Sequence, residues 1–230
     1  MIDENGSSQR LKSSGKFSLQ ICDEFLDKAD SYKYLGVIIN ETLTWGDHVN
    51  YISTKVNQRL GILRRIKHLL PIHTSELYVK SVVRLPLLDY GDIVWGDKHN
   101  KTLMAKFQLL QGKAAKLILG KAKHSSATEA INELDWLVLS ERRRQHCLSF
   151  VSKCMHGLID GNFNFTYSRE THHYNSRHKD NVRFPKCRCK WGQRRLTFQA
   201  IHEWNGLPMS TRNANSLDLF KKLSNFNILP

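Results

Sequence analysis

One apolar stripe constrains the fold of this chain more than any other feature. Between residues 47 and 70, apolar side chains recur at every third or fourth position: Val49, Ile52, Val56, Leu60, Leu63, Ile66 and Leu70. This spacing places them on one face of an α-helix. Asp47 can cap the start of this helix, and Pro71 is expected to end it. We therefore predict a long amphipathic helix that packs in a helical bundle.

Further helices are predicted after Pro71. One begins near Thr74, and Pro86 should kink or end it; the following residues up to Trp95 could be helical or extended, and we favour a helix. Residues 101–119 form the next predicted helix, with Gly120 as its stop. Ser126 and Glu129 have capping-box spacing and open a short helix. The last predicted helices cover residues 196–204 and a segment capped by Ser216.

The helix that we expect after Ser140 and Glu141 has a predicted buried face. Its members are Cys147, Val151, Cys154, Met155 and Leu158. Residues 160–181 are polar with scattered aromatics, and we expect a long loop there.

The N-terminal part is the only region that suggests strands. Residues 1–16 are polar and rich in Ser and Gly, and we expect them to be disordered. Phe17, Leu19 and Ile21 alternate with polar residues, and residues 34–39 form a second apolar run. We predict that these two strands pair antiparallel, with Gly36 inside the second as a bulge or a close backbone approach.

The predicted fold is therefore mainly α-helical, with a small N-terminal antiparallel β element. We divide the chain into a disordered start (1–16), a strand pair (17–46), a helical bundle (47–120), additional helices (121–159) and an irregular basic C-terminal region (160–230).

The net charge points to a polyanionic partner. Lys and Arg number 35 against 21 Asp and Glu, which gives a formal charge of +14. Such an excess favours nucleic acid first and an acidic membrane surface second, although a basic surface without a special role remains an alternative. The sequence contains no apolar run of about 18 residues and no apolar signal-peptide core. We expect no membrane association, five reduced cysteines, and a location in the cytoplasm or the nucleus.

Two basic clusters are candidates for binding phosphates. Between residues 177 and 195, eight cations face one acid, Asp180; two aromatic residues lie among them and a third lies just before them. The cations are Arg177, Lys179, Arg183, Lys186, Arg188, Lys190, Arg194 and Arg195, and the aromatics are Tyr174, Phe184 and Trp191. Cationic groups contact phosphates, and flat side chains stack on unpaired bases.

The second cluster, Arg142-Arg143-Arg144, lies at a predicted helix start, where cations oppose the helix dipole. An anion nearby would explain this placement. The alternative is three solvated arginines that face different ways.

Motifs for catalysis or metal binding are sparse. Asp89 and Asp92 could share a helix face and hold a divalent ion, but a solvated face or cap contacts are favoured. Cys187 and Cys189, with His172, His173 and His178 upstream, could suggest zinc. The Cys-x-Cys spacing is tighter than zinc sites use, so we do not predict a metal. Cys147 and Cys154 are expected in the core.

An ordered series of short motifs resembles a known family. The series is Lys33-Tyr34-Leu35-Gly36-Val37, Leu43-Thr44-Trp45, His48, Leu60-Gly61-Ile62-Leu63-Arg64-Arg65, Leu87-Leu88-Asp89-Tyr90-Gly91-Asp92-Ile93-Val94-Trp95-Gly96, the predicted helix from Gln108 to Gly120, Tyr174-Asn175-Ser176-Arg177, Trp191-Gly192-Gln193-Arg194-Arg195 and Trp204-Asn205-Gly206-Leu207-Pro208. It is similar to the C-terminal third of the reverse transcriptases of jockey-like non-LTR retrotransposons, over about residues 17–225.

The resemblance implies roles for particular residues. Tyr34, Leu35 and Gly36 would support the 3′ end of the primer at the edge of the palm. The helices after Asp47 would form a thumb along the template–primer duplex, followed by a C-terminal region that grips RNA or target DNA. The expected nucleic-acid-binding residues are Lys33, Lys55, Arg59, Arg142, Arg143, Arg144, Arg177, Arg183, Lys186, Arg188, Lys190, Trp191, Arg194 and Arg195.

The sequence departs from the family in one respect that concerns activity. The family's Ala-Asp-Asp motif precedes the primer-supporting strands, whereas the residues before Lys33 contain no Asp-Asp pair. We therefore expect a fragment without catalytic residues or a cofactor of its own, in which magnesium would belong to a palm outside this sequence. The expected partners are RNA or an RNA–DNA duplex, together with the palm and fingers of the same polyprotein. The alternative is a non-catalytic helical module that binds an acidic protein.

Overall fold

The computed structural model describes residues 19–21, 24–26, 28–96, 100–159, 163, 165–171, 178–188, 190–193 and 195–224. Only the backbone is described at residues 19–21, 24–26, 190 and 191. The chain divides into two units, residues 1–45 and 46–230. The predicted fold class is confirmed, since the structure is mainly helical with a small N-terminal antiparallel β element.

The first unit contains two short antiparallel strand pairs. Strand β1 (Leu19–Ile21) pairs with β2 (Glu24–Leu26), and β3 (Ser31–Tyr34) pairs with β4 (Val37–Asn40). The predicted pairing of one strand near residues 17–21 with another at 34–39 is therefore wrong. Each strand pairs with its immediate neighbour in sequence, which requires only a short turn and little loop-closure entropy.

Gly36 lies in the turn of the β3–β4 hairpin and not inside a strand. Leu35 has φ 45° and Gly36 has φ 83°, and two left-handed residues in succession are typical of a two-residue hairpin turn. The predicted bulge is thus wrong, and the glycine is explained by its positive φ. Tyr32 lies opposite Ile39, and Tyr34 lies opposite Val37.

The second unit begins with the predicted long helix. Helix α1 (Gly46–Ile66) is followed by a 3₁₀ turn (Lys67–Leu69), and Pro71 then caps the next helix. The apolar stripe is confirmed for five of its members, which are buried: Val49, Ile52, Val56, Leu60 and Leu63.

The segment after Pro86 is helical, as we favoured, but the helix takes a π form that the sequence did not predict. Helix α2 (Ile72–Tyr78) continues into a π-helix (Val79–Asp89) that contains Pro86. In an α-helix the proline ring would clash with the carbonyl four residues earlier, and the wider turn of a π-helix relieves this contact. A left-handed Gly91, with φ 62°, then leads into the short helix α3 (Asp92–Trp95).

Helix α4 (Lys101–Ile118) and helix α5 (Ala127–Glu133) pack on each other, and α4 also packs on α1; we call the buried interior of these helices the first core. Their predicted signals are confirmed: Gly120 has φ 66°, and the Ser126 side chain accepts a hydrogen bond from the backbone of Glu129. Trp95 and Phe107 lie at the centre, with ring centroids 4.8 Å apart.

Helix α6 (Leu139–Met155) differs from its prediction in start and in buried face. It begins after Val138, so Ser140 lies inside the helix and does not cap it. Of the predicted face only Val151 is fully buried; Cys147, Cys154 and Met155 are partly buried, and Leu158 is exposed. The buried face also carries polar residues, namely Arg143, Gln145, Ser149 and Ser152, which an apolar pattern cannot reveal.

The C-terminal part packs on α6 through α9 and α11. Its short helices are α7 (Ser168–Thr171), α8 (Lys190–Gln193), α9 (Leu196–Asn205), α10 (Met209–Arg212) and α11 (Leu217–Leu223). A second core forms from α6, α9 and α11, with Trp204 and Phe220 stacked at 5.3 Å. The loop predicted over residues 160–181 contains α7 in its described part.

The predicted division at residues 120 and 159 stays a prediction. Within the described residues, no helix combines the length and the apolar character needed to cross a lipid bilayer.

Candidate nucleic-acid interface

The three consecutive arginines of α6 point in different directions, and each meets a different group. Arg142 donates to both carboxylate oxygens of Asp89, with Nε 3.2 Å from Oδ1, and the Arg84 guanidinium lies 3.7 Å from the same carboxylate. Both partners of the Arg142–Asp89 pair are largely buried. The anion expected near the arginine cluster is therefore a carboxylate of the protein itself.

Arg143 is only 9% exposed and lies over the rings of Trp95 and Phe107, at 4.9 and 5.2 Å from their centroids. Burial lowers its pKa, because desolvation penalises the charged form, whereas Asp92 and Asp89 act in the opposite direction. Arg144 is more exposed and pairs with Glu203 at 3.0 Å and with Glu141 at 3.7 Å. These contacts engage Arg142 and Arg144 with carboxylates of the fold, whereas Arg143 lies against aromatic rings.

Asp89 and Asp92 are partners of an arginine and a histidine. The Asp92 carboxylate is buried and lies 2.7 Å from Nδ1 of His146. The Asp89 carboxylate pairs with Arg142, as described above. Among the residues that the structure describes, no group of three or more His, Cys, Asp or Glu side chains could hold a metal ion. The zinc alternative, which the sequence did not favour, lies mostly outside the described residues, since His172, His173 and Cys189 belong to the undescribed part.

The residues predicted to support a primer lie at the tip of the β3–β4 hairpin. Tyr34 and Leu35 are exposed, Leu35 to 71%, and Lys33 and Gly36 are exposed as well. Side chains at this tip are accessible within their own unit.

Lys55 and Arg59 on α1 are partly buried. The Lys55 ammonium lies 5.8 Å above the Tyr51 ring, and Arg59 donates from Nη1 to the carbonyl oxygen of Val82. Arg59 therefore ties α1 to the π-helix, whatever else it contacts.

The predicted C-terminal cations lie on an exposed segment. Arg183, Lys186, Arg188 and Arg195 are exposed, whereas Arg177 and Arg194 lie outside the described residues, and only the backbone is described for Lys190 and Trp191. Phe184 packs on Phe198 with ring centroids 4.9 Å apart, so part of its surface is already covered.

One asparagine fixes the start of this exposed segment. Asn205 accepts a hydrogen bond from the backbone nitrogen of Val182 and donates one to its carbonyl oxygen, both at 2.9 Å. Val182 is buried in the second core and forms an isolated bridge with Tyr167. Arg183 follows directly, so the motif Trp204-Asn205-Gly206-Leu207-Pro208 fixes where the basic segment leaves the core.

The structure also brings together a set of cations that the sequence reasoning did not predict. A groove of about 660 Å³ lies between α1, α4 and the loop after α4. We call it the basic groove; its cations are Arg64, Lys113, Lys116, Lys121 and Lys123, and Asn57, Leu109, Leu117 and Ala127 complete its lining.

The charge of the basic groove is only partly compensated. Lys121 pairs with Glu133 at 2.5 Å, and the Lys116 ammonium donates to the carbonyl oxygens of Lys123 and Ser125. Among the described residues, no carboxylate lies within ion-pair distance of Arg64, Lys113 or Lys123. A concave surface that concentrates positive charge attracts a polyanion.

A weak signal for this groove exists in the sequence. Lys113, Lys116, Lys121 and Lys123 recur within a short stretch that contains no acidic residue. Arg64, however, lies on a different helix and joins the group only when α1 packs against α4.

Comparisons with family models, with curated proteins and with solved structures gave no match.

Proposed function

We propose that this chain binds nucleic acid with little sequence preference, and that the basic groove is the principal contact surface. The observation that carries the proposal is the convergence of five cations on one groove whose described lining includes no carboxylate, although Glu133, outside that lining, pairs with Lys121. Lysine and arginine side chains neutralise phosphates and release counterions, which supplies most of the affinity in sequence-independent binding.

The motif resemblance supports the same function. In the reverse transcriptases that the chain resembles, thumb helices lie along the template–primer duplex, and α1 and α4 occupy the corresponding stretch of this sequence. We therefore propose an RNA–DNA or RNA duplex as the ligand, in the cytoplasm or the nucleus. The exposed segment with Arg183, Lys186 and Arg188 would add phosphate contacts. The proposal assigns no catalytic step to this chain.

The test is a salt titration with matched variants. The groove variant replaces Arg64, Lys113 and Lys123 by Gln, and the control replaces the exposed Lys106, Lys153 and Lys222 by Gln. Both variants lose the same charge, so only the position of the cations differs. Binding of a fluorescent RNA–DNA duplex is followed by anisotropy at several salt concentrations.

The slope of log K against log salt is negative, and we expect the groove variant to make it shallower by about 2 to 3, since each phosphate contact contributes about 0.9 to its magnitude. The control should keep the slope of the natural sequence. Equal slopes for the two variants would refute the groove as the contact surface. Competition by polyglutamate as effective as that by RNA would favour an acidic protein partner instead.

A further inference from the structure

A second concave site lies away from the basic groove, and its chemistry is different. A cleft of about 480 Å³ opens between α3, α4, α6 and α9, which we call the Arg143 cleft. Volumes of this size are typical of sites for small organic ligands. Much of its wall is apolar, with contributions from Ile93, Met104, Ala105, Leu139 and Leu196.

Most charged groups in the wall of this cleft are paired within the protein; Lys101 in the lining is exposed, and Arg143 is the buried exception. Asp92 is held by His146, and Glu141 and Glu203 are both held by Arg144. Arg143 lies in the same wall but has no hydrogen bond to a carboxylate among the described residues. Its Nε and Nη2 atoms are buried without an acceptor, and Nη1 donates only to the thioether sulfur of Met104, at 2.9 Å.

This arrangement leaves a buried cation under-satisfied. The rings of Trp95 and Phe107 stabilise one face of the guanidinium but provide no acceptor in the plane of its N–H groups. A thioether is a weak acceptor, and the Met side chain is flexible enough to move aside. Since an unpaired buried charge is costly, an anion that reached this guanidinium would gain a charge-assisted hydrogen bond.

We propose that the Arg143 cleft binds a small organic carboxylate with an apolar body, whose carboxylate replaces the sulfur of Met104 as the partner of Arg143. The apolar wall covers the body of the ligand. The lining holds three carboxylates, those of Asp92, Glu141 and Glu203, and three cations, Lys101, Arg143 and Arg144. A monoanion is favoured over a phosphate dianion, because Arg143 is the buried cation of this lining whose N–H groups lack acceptors, and it compensates a single negative charge. This inference does not depend on nucleic-acid binding.

Three probes of one shape test the charge requirement: 2-naphthoate, the neutral 2-naphthamide and the dianionic 2-naphthyl phosphate. Binding to the full chain is measured by isothermal titration calorimetry. We expect 2-naphthoate to bind at least tenfold more tightly than either of the other two probes. Equal affinities for naphthoate and naphthamide, or no binding of naphthoate at millimolar concentration, would overturn the proposal.

A cleft-filling variant locates the ligand without disturbing Arg143. Ala105 is exposed on α4 and lines the cleft, so Ala105→Trp should fill it, whereas Thr102→Trp on the same helix is an exposed control outside the lining. We expect Ala105→Trp to lose at least tenfold in naphthoate affinity, and Thr102→Trp to keep the affinity of the natural sequence. Cys147 also lines the cleft, and naphthoate should slow its alkylation by N-ethylmaleimide relative to that of Cys187. Unchanged affinity in Ala105→Trp, or equal alkylation of Cys147 with and without naphthoate, would place the ligand elsewhere and refute the proposal.

Discussion

Lowering the pH should destabilise the helical unit through one residue, His48, whose side chain is buried on α1. His48 is 2% exposed and packs edge-on against Trp95, with ring centroids 5.3 Å apart. Burial lowers its pKa from 6.5 to about 4, because the apolar surroundings disfavour the charged imidazolium. The folded state therefore keeps His48 neutral over a pH range in which the unfolded chain takes up a proton.

The sign and size of the effect follow from proton linkage. Above pH 6.5 the group is neutral in both states and has no effect on stability. Between pH 6.5 and about 4, only the unfolded chain binds the proton, so the free energy of unfolding falls as the pH falls. Each tenfold difference in proton affinity corresponds to about 1.4 kcal/mol, and the full loss should approach about 3 kcal/mol near pH 4.

The assay compares His48→Phe, which retains an aromatic ring beside Trp95, with His68→Phe, which alters an exposed histidine in the 3₁₀ turn. Urea unfolding is followed by circular dichroism at several pH values from 7 to 4. We expect His48→Phe to lose about 3 kcal/mol less than the natural sequence over this range, and His68→Phe to behave as the natural sequence does. If all three proteins lost the same free energy, the reasoning about His48 would be wrong.

Three further predictions concern named contacts. Arg142→Ala should cost about 3 kcal/mol in urea unfolding, because it leaves the buried Asp89 poorly compensated. Arg144→Ala removes a partly exposed pair and should cost under about 1 kcal/mol. Similar losses for the two variants would contradict the assigned difference in burial. Asn205→Ala should cost about 2 kcal/mol and speed amide exchange at Val182, and Asn205→Asp should be intermediate because it keeps the acceptor. Unchanged exchange would show that the two hydrogen bonds do not hold the chain at Val182. Trp136→Phe should cost about 1 to 2 kcal/mol by removing the 2.8 Å hydrogen bond to Glu76. Burial alone would raise the pKa of Glu76, but Lys80 and Trp136 lower it. In an NMR titration of the variant, this pKa should therefore rise towards its ordinary value.

The parts of the fold that could be predicted are those with a local physical signal. The α1 stripe fixes a helix because its apolar period allows only one buried face, and Ser126 and Gly120 mark helix ends through caps that act over three or four residues. The β3–β4 hairpin was missed because the turn places Leu35, a residue that rarely adopts positive φ, before Gly36.

The candidate sites were less predictable because they depend on packing between distant segments. Whether Arg142 faces solvent or a carboxylate depends on Asp89, which lies 53 residues away in the chain. The basic groove likewise exists only where α1 meets α4. A run of three arginines can be recognised in a sequence, but the partner that each arginine finds is a property of the folded chain.

The hydrogen bonds of Asn205 also bear on the chemical lifetime of the protein. Asn205 precedes Gly206, and an asparagine followed by glycine is prone to deamidation: the next backbone nitrogen attacks the side-chain amide carbon and displaces ammonia, and water then opens the cyclic imide to an acid. That attack requires the amide to rotate towards the backbone, whereas in the fold both of its polar atoms are held by Val182. The folded state therefore protects this asparagine, and each local opening exposes it to an irreversible change. Conversion to aspartate removes the donor to the Val182 carbonyl and would make the next opening easier, so aged protein should accumulate molecules whose basic segment is loosened.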